Sequence, residues 1–244
     1  MKVLVTRPAQ DARRTIERLA ARGIQAIAAP VLEIVPVPDA ELPPEARALL
    51  VTSANAAAAL SARPDLERLH TIPVYAVGDR TADAMQQAGF ARIHSAGGSA
   101  ADLLALVRKQ LKPDGGLIVY PSGRDVAADL EGELRAAGYA AKRVVVYEAE
   151  PLAGLAAETI RELETEGPAA VLLYSPRSAK VFGELVTRAG LSQRLSGLYA
   201  VVMSSRVAAA AGECGFRHIF VADAPHESAL LATLEELIKG GLED

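Results

Sequence analysis

VTRPAQDARRTIERLAARGI (residues 5–24) returns, 115 positions later, as YPSGRDVAADLEGELRAAGY (residues 120–139); Gly23 falls on Gly138 and, at the same shift, Pro36 on Pro151. Both copies leave a short apolar run, pass through a polar turn and enter an amphipathic pattern that stops at glycine. Two further pairs follow in the same order. VTSANAAAAL (residues 51–60) matches LYSPRSAKVF (residues 173–182) at a shift of 122, and VGDRTADAMQQAGFARI (residues 77–93) matches MSSRVAAAAGECGFRHI (residues 203–219) at a shift of 126. Slowly drifting shifts in a fixed order are the mark of a tandem duplication with loop insertions. Each copy is too elaborate for a solenoid repeat, so two similar units are expected.

Between the matched segments, short runs rich in Val, Ile and Leu alternate with helical patterns. Strands are predicted at Lys2–Thr6, Gln25–Ala29, Ala48–Ser53, Val74–Gly78, Arg92–Ala96, Leu117–Tyr120, Lys142–Tyr147, Ala170–Ser175, Leu198–Met203 and His218–Ala222. They show little polar alternation, so both faces should be covered. Apolar residues spaced four apart predict helices at Leu103/Val107/Leu111, Val126/Leu130/Leu134, Val181/Leu185 and Leu230/Leu234/Ile238. The alternation specifies an α/β fold: two similar parallel-sheet domains. Two segments that contain the matched prolines, Val31–Pro38 and Val144–Pro151, read as strands crossing between the domains, a two-stranded linker.

The 244-residue chain is half hydrophobic (50%), enough for one large core or two modest ones. Its net charge of −4 argues against sequence-independent nucleic-acid binding, which needs a basic face. The longest uncharged stretch, Ala48–Ala62, has 15 residues, short of a membrane span. The first residues, MKVLVTRPAQDARR, lack the apolar run of a signal peptide. The single Cys214 excludes an internal disulfide and fits a reducing compartment. These features predict a cytoplasmic protein without a nucleic-acid or membrane partner.

No GxGxxG follows the first strand, and GxxxxGK[ST], HExxH and GxSxG are all missing. The histidines His70, His94, His218 and His226 have no metal-ligand spacing. What recurs instead is a polar cluster wherever a strand hands over to a helix: Thr6-Arg7-Pro8, Thr52-Ser53, Gly78-Asp79-Arg80-Thr81, Ser122-Gly123-Arg124, Ser175-Pro176 and Ser204-Ser205-Arg206. Open parallel sheets bind ligands at these carboxyl ends. Helix N-termini there offer unpaired N–H groups and partial positive charge to carboxylates or phosphates. A plain helix-capping role for each Ser or Thr stands beside that reading; the recurrence of the clusters favours a polyanionic small molecule.

With these residues in view, the chain resembles the uroporphyrinogen-III synthase family along nearly its whole length. The resemblance is carried by VLVTRP, VTSANA, YAVGDRTA, VVVYEAEP, LLYSPRSA and SSRVAAAAGECGF followed by HIFVAD, in order over more than 200 residues. It implies an exchanged layout: residues 1–36 with 152–244 in one domain, 37–151 in the other. It also implies a lyase that closes hydroxymethylbilane (preuroporphyrinogen), a substrate with eight carboxylates, into uroporphyrinogen III; since each domain covers its own sheet, a monomer is expected. Water is lost and the last pyrrole ring is inverted, in haem biosynthesis, with no cofactor and no metal. The substrate also closes unaided to the wrong isomer, so the protein's task is to hold one conformation while the hydroxyl leaves.

By the same resemblance, Tyr147 is the active-site tyrosine, hydrogen-bonding or protonating the departing hydroxyl. In the repeat its counterpart is Leu32. Thr81, Ser53 and Ser175 position substrate carboxylates, and Arg7, Thr52, Ser122, Gly123 and Ser204 complete the expected substrate-binding set. Ser122 stands where the family often has arginine, and Ser204 and Val207 where many members have glycine and threonine. The rival reading is a two-lobed binding protein for an anionic tetrapyrrole-like ligand, without chemistry; retention of Tyr147 and Thr81 favours the enzyme.

Overall fold

The computed structural model describes residues 2–126, 128–165 and 168–240. Met1, Ala127, Glu166, Gly167 and residues 241–244 lie outside the described residues; they fall within the expected domain spans, and Ala127 also within the repeated segment. The chain opens with β1 (Lys2–Val5), α1 (Ala9–Ala20), β2 (Gln25–Ala28) and β3 (Leu32–Pro36). There follow β4 (Ala46–Val51), α2 (Ala54–Ser61), a short α3 (Leu66–Leu69), β5 (Val74–Ala76), α4 (Asp79–Gln87) and β6 (Ile93–Ser95). Then come α5 (Ala100–Gln110), β7 (Leu117–Gly123), α6 (Leu130–Ala136) and the long β8 (Ala141–Pro151). The last part comprises α7 (Ala157–Glu164), β9 (Pro168–Leu173), α8 (Pro176–Arg188), β10 (Tyr199–Val202), α9 (Ser205–Glu213), β11 (His218–Val221) and α10 (Glu227–Lys239).

Two compact units result: residues up to Glu33 with those from Glu150 onward, and Ile34–Ala149. The division falls inside β3 and β8, a few residues before Pro36 and Pro151. These two strands are neighbours and run antiparallel, with Val37 N donating to Val146 O at 2.9 Å and Leu152 N to Val31 O at 3.0 Å. All other strand pairs given a register are parallel.

In the first unit the sheet order is β11-β10-β9-β1-β2. One face, formed by Val3, Val5, Ala170, Leu172 and Val201, packs on Ala12 and Leu19 of α1 and Leu230, Leu231 and Leu234 of α10. Leu4, Val171, Leu173 and Val202 point the other way and are equally buried. In the second unit the order is β3-β8-β7-β4-β5-β6. Leu49, Val51, Val74, Val119, Val144 and Val146 meet α2 and α4 through Ala56, Leu60 and Met85. Ala48, Leu50, Tyr75, Ile118, Tyr120 and Ala141 meet α5 and α6 on the opposite face through Leu103, Val107, Leu130 and Leu134. Successive side chains point to opposite faces, and both faces are apolar, which is why the strands read as continuous runs. When the matched segments are overlaid, β1 falls on β7, β9 on β4 and β10 on β5, and the two sheet orders coincide over five strands, β3 being an additional strand of the second sheet.

The matched glycines have one backbone reason. Gly23 and Gly138 follow α1 and α6 with φ of +74° and +87°, a left-handed conformation that stops a helix and frees the chain to start the next strand. Two expectations need correction. Val126 does not belong to a helix with Leu130 and Leu134: the Asp129 side chain accepts from Gly132 N at 2.9 Å and caps α6 there, leaving Val126 outside and 39% exposed. And β7 does not end at Tyr120 but continues through Pro121, Ser122 and Gly123.

An added Cβ at Gly23 would meet nothing within 4 Å, so Gly23→Ala should cost only its backbone strain, about 1–2 kcal/mol. Leu49→Ala, at a site with 0% exposure, should cost about 2–5 kcal/mol. Urea midpoints of the two variants should rank in that order.

Candidate active site

In the second unit, the register of β7 with β4 ends at Val119, while its pairing with β8 runs on through Tyr120↔Arg143, Pro121↔Val144 and Ser122↔Val145 to Gly123↔Tyr147. The skipped residue, Val146, marks a bulge. Val144 and Val146 share a face by alternation, which would send Tyr147 to the other side. The bulge re-aims it, and Tyr147 packs, half-buried, against the same apolar cluster as Val144 and Val146. Its ring lies on Gly123: a Cβ there would sit 2.6 Å from Cε2 and 2.8 Å from Cζ of Tyr147. Arg124 N donates to Tyr147 O at 3.1 Å and anchors the same point from the backbone.

Around this strand end the polar side chains are paired. Thr52, just past β4, shares a 3.0 Å hydrogen bond with the Tyr120 hydroxyl. Burial raises the Tyr120 pKa; the Thr52 bond opposes this, nearby Tyr147 adds to it, and Arg143 opposes it. Ser122 is buried, donates to Gly123 O at 3.0 Å and accepts from Arg143 Nε at 2.8 Å. The strand-to-helix handover expected at Ser122-Gly123 is therefore absent: both residues are in β7, and α6 starts only at Leu130. Ser53 sits at the N-cap of α2 and accepts from Asn55 N at 3.2 Å. Thr81 is buried in the first turn of α4, with its N–H on Gly78 O at 3.0 Å.

In the first unit, Arg7 follows β1. It donates to Glu227 Oε1 at 3.0 Å, pairs with Asp11 at 3.5 Å, and lies 4.8 Å from the centre of the Tyr174 ring. Glu227 also accepts from Thr15 and Arg18. Burial pushes the Tyr174 pKa up to about 12, with Thr15 opposing, the Glu227 charge adding and Arg7 opposing. Ser175 caps α8 in a reciprocal capping box with Ser178, 3.0 Å in each direction. Ser204 is at the N-cap of α9 without a side-chain cap bond. Val207 is buried in α9, a packing position.

Thus Thr52, Gly123, Ser122 and Tyr147 belong to one strand-end group, whereas Ser53, Thr81, Ser175 and Ser204 each mark a helix start. Tyr120, Arg143, Tyr174 and Glu227 join these groups without having stood out in the sequence. Arg143 carried only a weak signal, as a charge beside Lys142 at the start of an apolar strand. Glu227 carried none, since it meets Arg7 from 220 positions away. Among the described residues no group of three or more His, Cys, Asp or Glu is placed to hold a metal ion, and no helix is long and apolar enough to cross a membrane.

Two parallel α/β units with polar, tyrosine-bearing strand ends define a protein of the open α/β class, in which ligands bind at the carboxyl ends of the strands. The chain belongs to the uroporphyrinogen-III synthase family: the family model for uroporphyrinogen-III synthase HemD matches residues 13–232. Members are cyclising lyases of haem biosynthesis, and this chain is an enzyme of that kind. In fold it is similar to uroporphyrinogen-III synthetase from Helicobacter pylori, with TM-score 0.63 and 21% identity over 97% of this chain and 99% of that one. Uroporphyrinogen III synthase from Thermus thermophilus aligns over 100% of both chains at 20% identity, with a TM-score of 0.43. No curated protein matches the chain.

Gly123→Ala should displace the Tyr147 ring and lower turnover while leaving the sheet intact; unchanged kinetics would show that the close approach is not needed. Tyr174 favours its neutral form in the folded state, so the stability it contributes is fully present below pH 10 and is lost as pH rises through about 12. Tyr174→Phe should lack that part of the alkaline loss, as followed by melting temperature against pH.

Proposed function

We propose that this chain closes hydroxymethylbilane to uroporphyrinogen III with Tyr147 as the group at the reacting end. The observation that carries this is the bulge in the β7–β8 pairing, which turns Tyr147 onto Gly123 at a carboxyl strand end. There the tyrosine hydroxyl donates a hydrogen bond or proton to the substrate hydroxyl as its C–O bond breaks and water departs. Thr52 and Tyr120 flank it as a hydrogen-bonded pair. Ser122 and Gly123 contribute by shaping the strand end beneath the ring.

The substrate's carboxylates are bound, in this reading, by the starts of α2, α4, α8 and α9 behind Ser53, Thr81, Ser175 and Ser204, and by Arg7. Helix N-termini suit carboxylates through their free N–H groups and partial positive charge. Binding one conformer supplies what unaided closure lacks, since the free substrate gives the wrong isomer. We further infer that the two units descend from one duplicated ancestor, exchanged as 1–36 with 152–244 and 37–151. The coincident sheet orders support this. The protein works as a cytoplasmic monomer without cofactor or metal; light scattering and activity in EDTA test the monomer and the metal independence.

The deciding experiment supplies freshly prepared hydroxymethylbilane and resolves the type I and type III products. Type III should predominate with the protein and type I without it; type I alone in both would refute the reading and leave a binding protein. Tyr147→Phe should lower turnover by about 10²-fold, the low end of general-acid assistance, because the substrate can expel its hydroxyl unaided. Binding of the octacarboxylate product should change less.

A further inference from the structure

Arg143 lies on β8, an interior strand, four residues before Tyr147 and just ahead of the apolar run Val144–Val146. Its guanidinium does not reach out for a surface partner. Nε donates to Ser122 Oγ at 2.8 Å, and Nη2 donates to Gly123 O at 2.7 Å and also to Arg124 O. Ser122 passes the chain of bonds on to Gly123 O. All three acceptors are neutral oxygens on the stretch of β7, and the residue after it, that runs past the β4 pairing. A strand end paired on one side only would fray. Here a planar fork of donors from the neighbouring strand ties it down, a geometry that the single ammonium of lysine cannot reproduce.

The consequence reaches Tyr147. Gly123 is the floor under its ring, and Arg124 N bonds its carbonyl. Both residues present to Arg143 the carbonyls it holds. We propose that Arg143 is a positioning residue for the reaction: it holds the bulged end of β7 in place and thereby sets where the Tyr147 hydroxyl points. This rests on the assignment of Tyr147 made above. Arg143 need not touch the substrate; it acts through the tyrosine.

A double-mutant cycle on the full chain tests this, using hydroxymethylbilane and resolved type I and type III products. The wild type is measured first: absence of type III product refutes the proposed function itself, before any variant bears on Arg143. With wild-type activity present, Arg143→Gln should lower kcat by about 10–100-fold through misplacement of Tyr147, with little change in KM. Arg143→Gln combined with Tyr147→Phe should then be no slower than Tyr147→Phe alone, because both changes remove one contribution. Multiplying losses would overturn the proposal, as would a rise in KM at unchanged kcat, which would make Arg143 a substrate-binding group. If Arg143→Gln melts well below the wild type, Ser122→Ala, which breaks one link of the same chain, takes its place in the cycle. A kcat loss that disappears in the Tyr147→Phe background then supports the proposal, and losses that multiply overturn it.

Discussion

An interior parallel strand has peptide groups along both sides and side chains on both faces, and all four must be covered when it is buried. This constraint organises the chain. Interior strands such as β1 and β9 bury apolar side chains on both faces, with Val3, Leu4, Val5, Val171 and Leu172 all at 0% exposure. Wherever the chain goes from one strand to a parallel neighbour in the same sheet, a helix must therefore lie on one face and return it to the starting end. That return delivers all strand-to-helix junctions of a unit to the same end, and polar residues gather there because the backbone is unpaired there. The clustering of polar residues there is a by-product of how a parallel sheet is built.

Against that regular background the end of β7 is the exception. Its registered pairing with β4 ends at Val119 and α6 is not yet begun, while Pro121, Ser122 and Gly123 continue as strand in register with β8. A single extra residue in β8 then turns Tyr147 across alternation, and only glycine at position 123 leaves room for the ring. Ser122 is bonded by Arg143 from the next strand. In this chain the guanidinium at the strand end comes from β8, and the serine relays its hold to the backbone.

The first unit reaches a different solution at the end of β1. Arg7 is neither free nor simply solvated: Glu227 and Asp11 balance its charge while its guanidinium lies over the Tyr174 ring. Any anion that Arg7 binds must compete with Glu227, which is itself held by Thr15 and Arg18. The resulting cluster spans the ends of β1 and β9 and the first turn of α10, joining three elements distant in sequence.

How much of this is legible without the structure follows from the range of the forces. Strand and helix identity, the parallel class, the repeat and the helix starts at Ser53 and Ser175 depend on local patterning, and they can be read from apolar runs, capping residues and the glycines at 23 and 138. Tyr147 can be named only through family resemblance, because nothing in VVVYEAEP distinguishes a reacting tyrosine from a packing one. The end of β7 differs from its sequence-based expectation because strand length past Tyr120 depends on a partner: Ser122-Gly123 looks like a turn until β8 offers its hydrogen bonds and Arg143 its guanidinium. The bulge at Val146, the Thr52–Tyr120 pair and the Arg7–Glu227 bond likewise join residues brought side by side only by folding. The sequence by itself determined which segments become strands and helices, since their periodicity is written in consecutive residues. The tertiary structure alone decided which polar groups meet, since those contacts rest on register and on neighbours tens to hundreds of positions away.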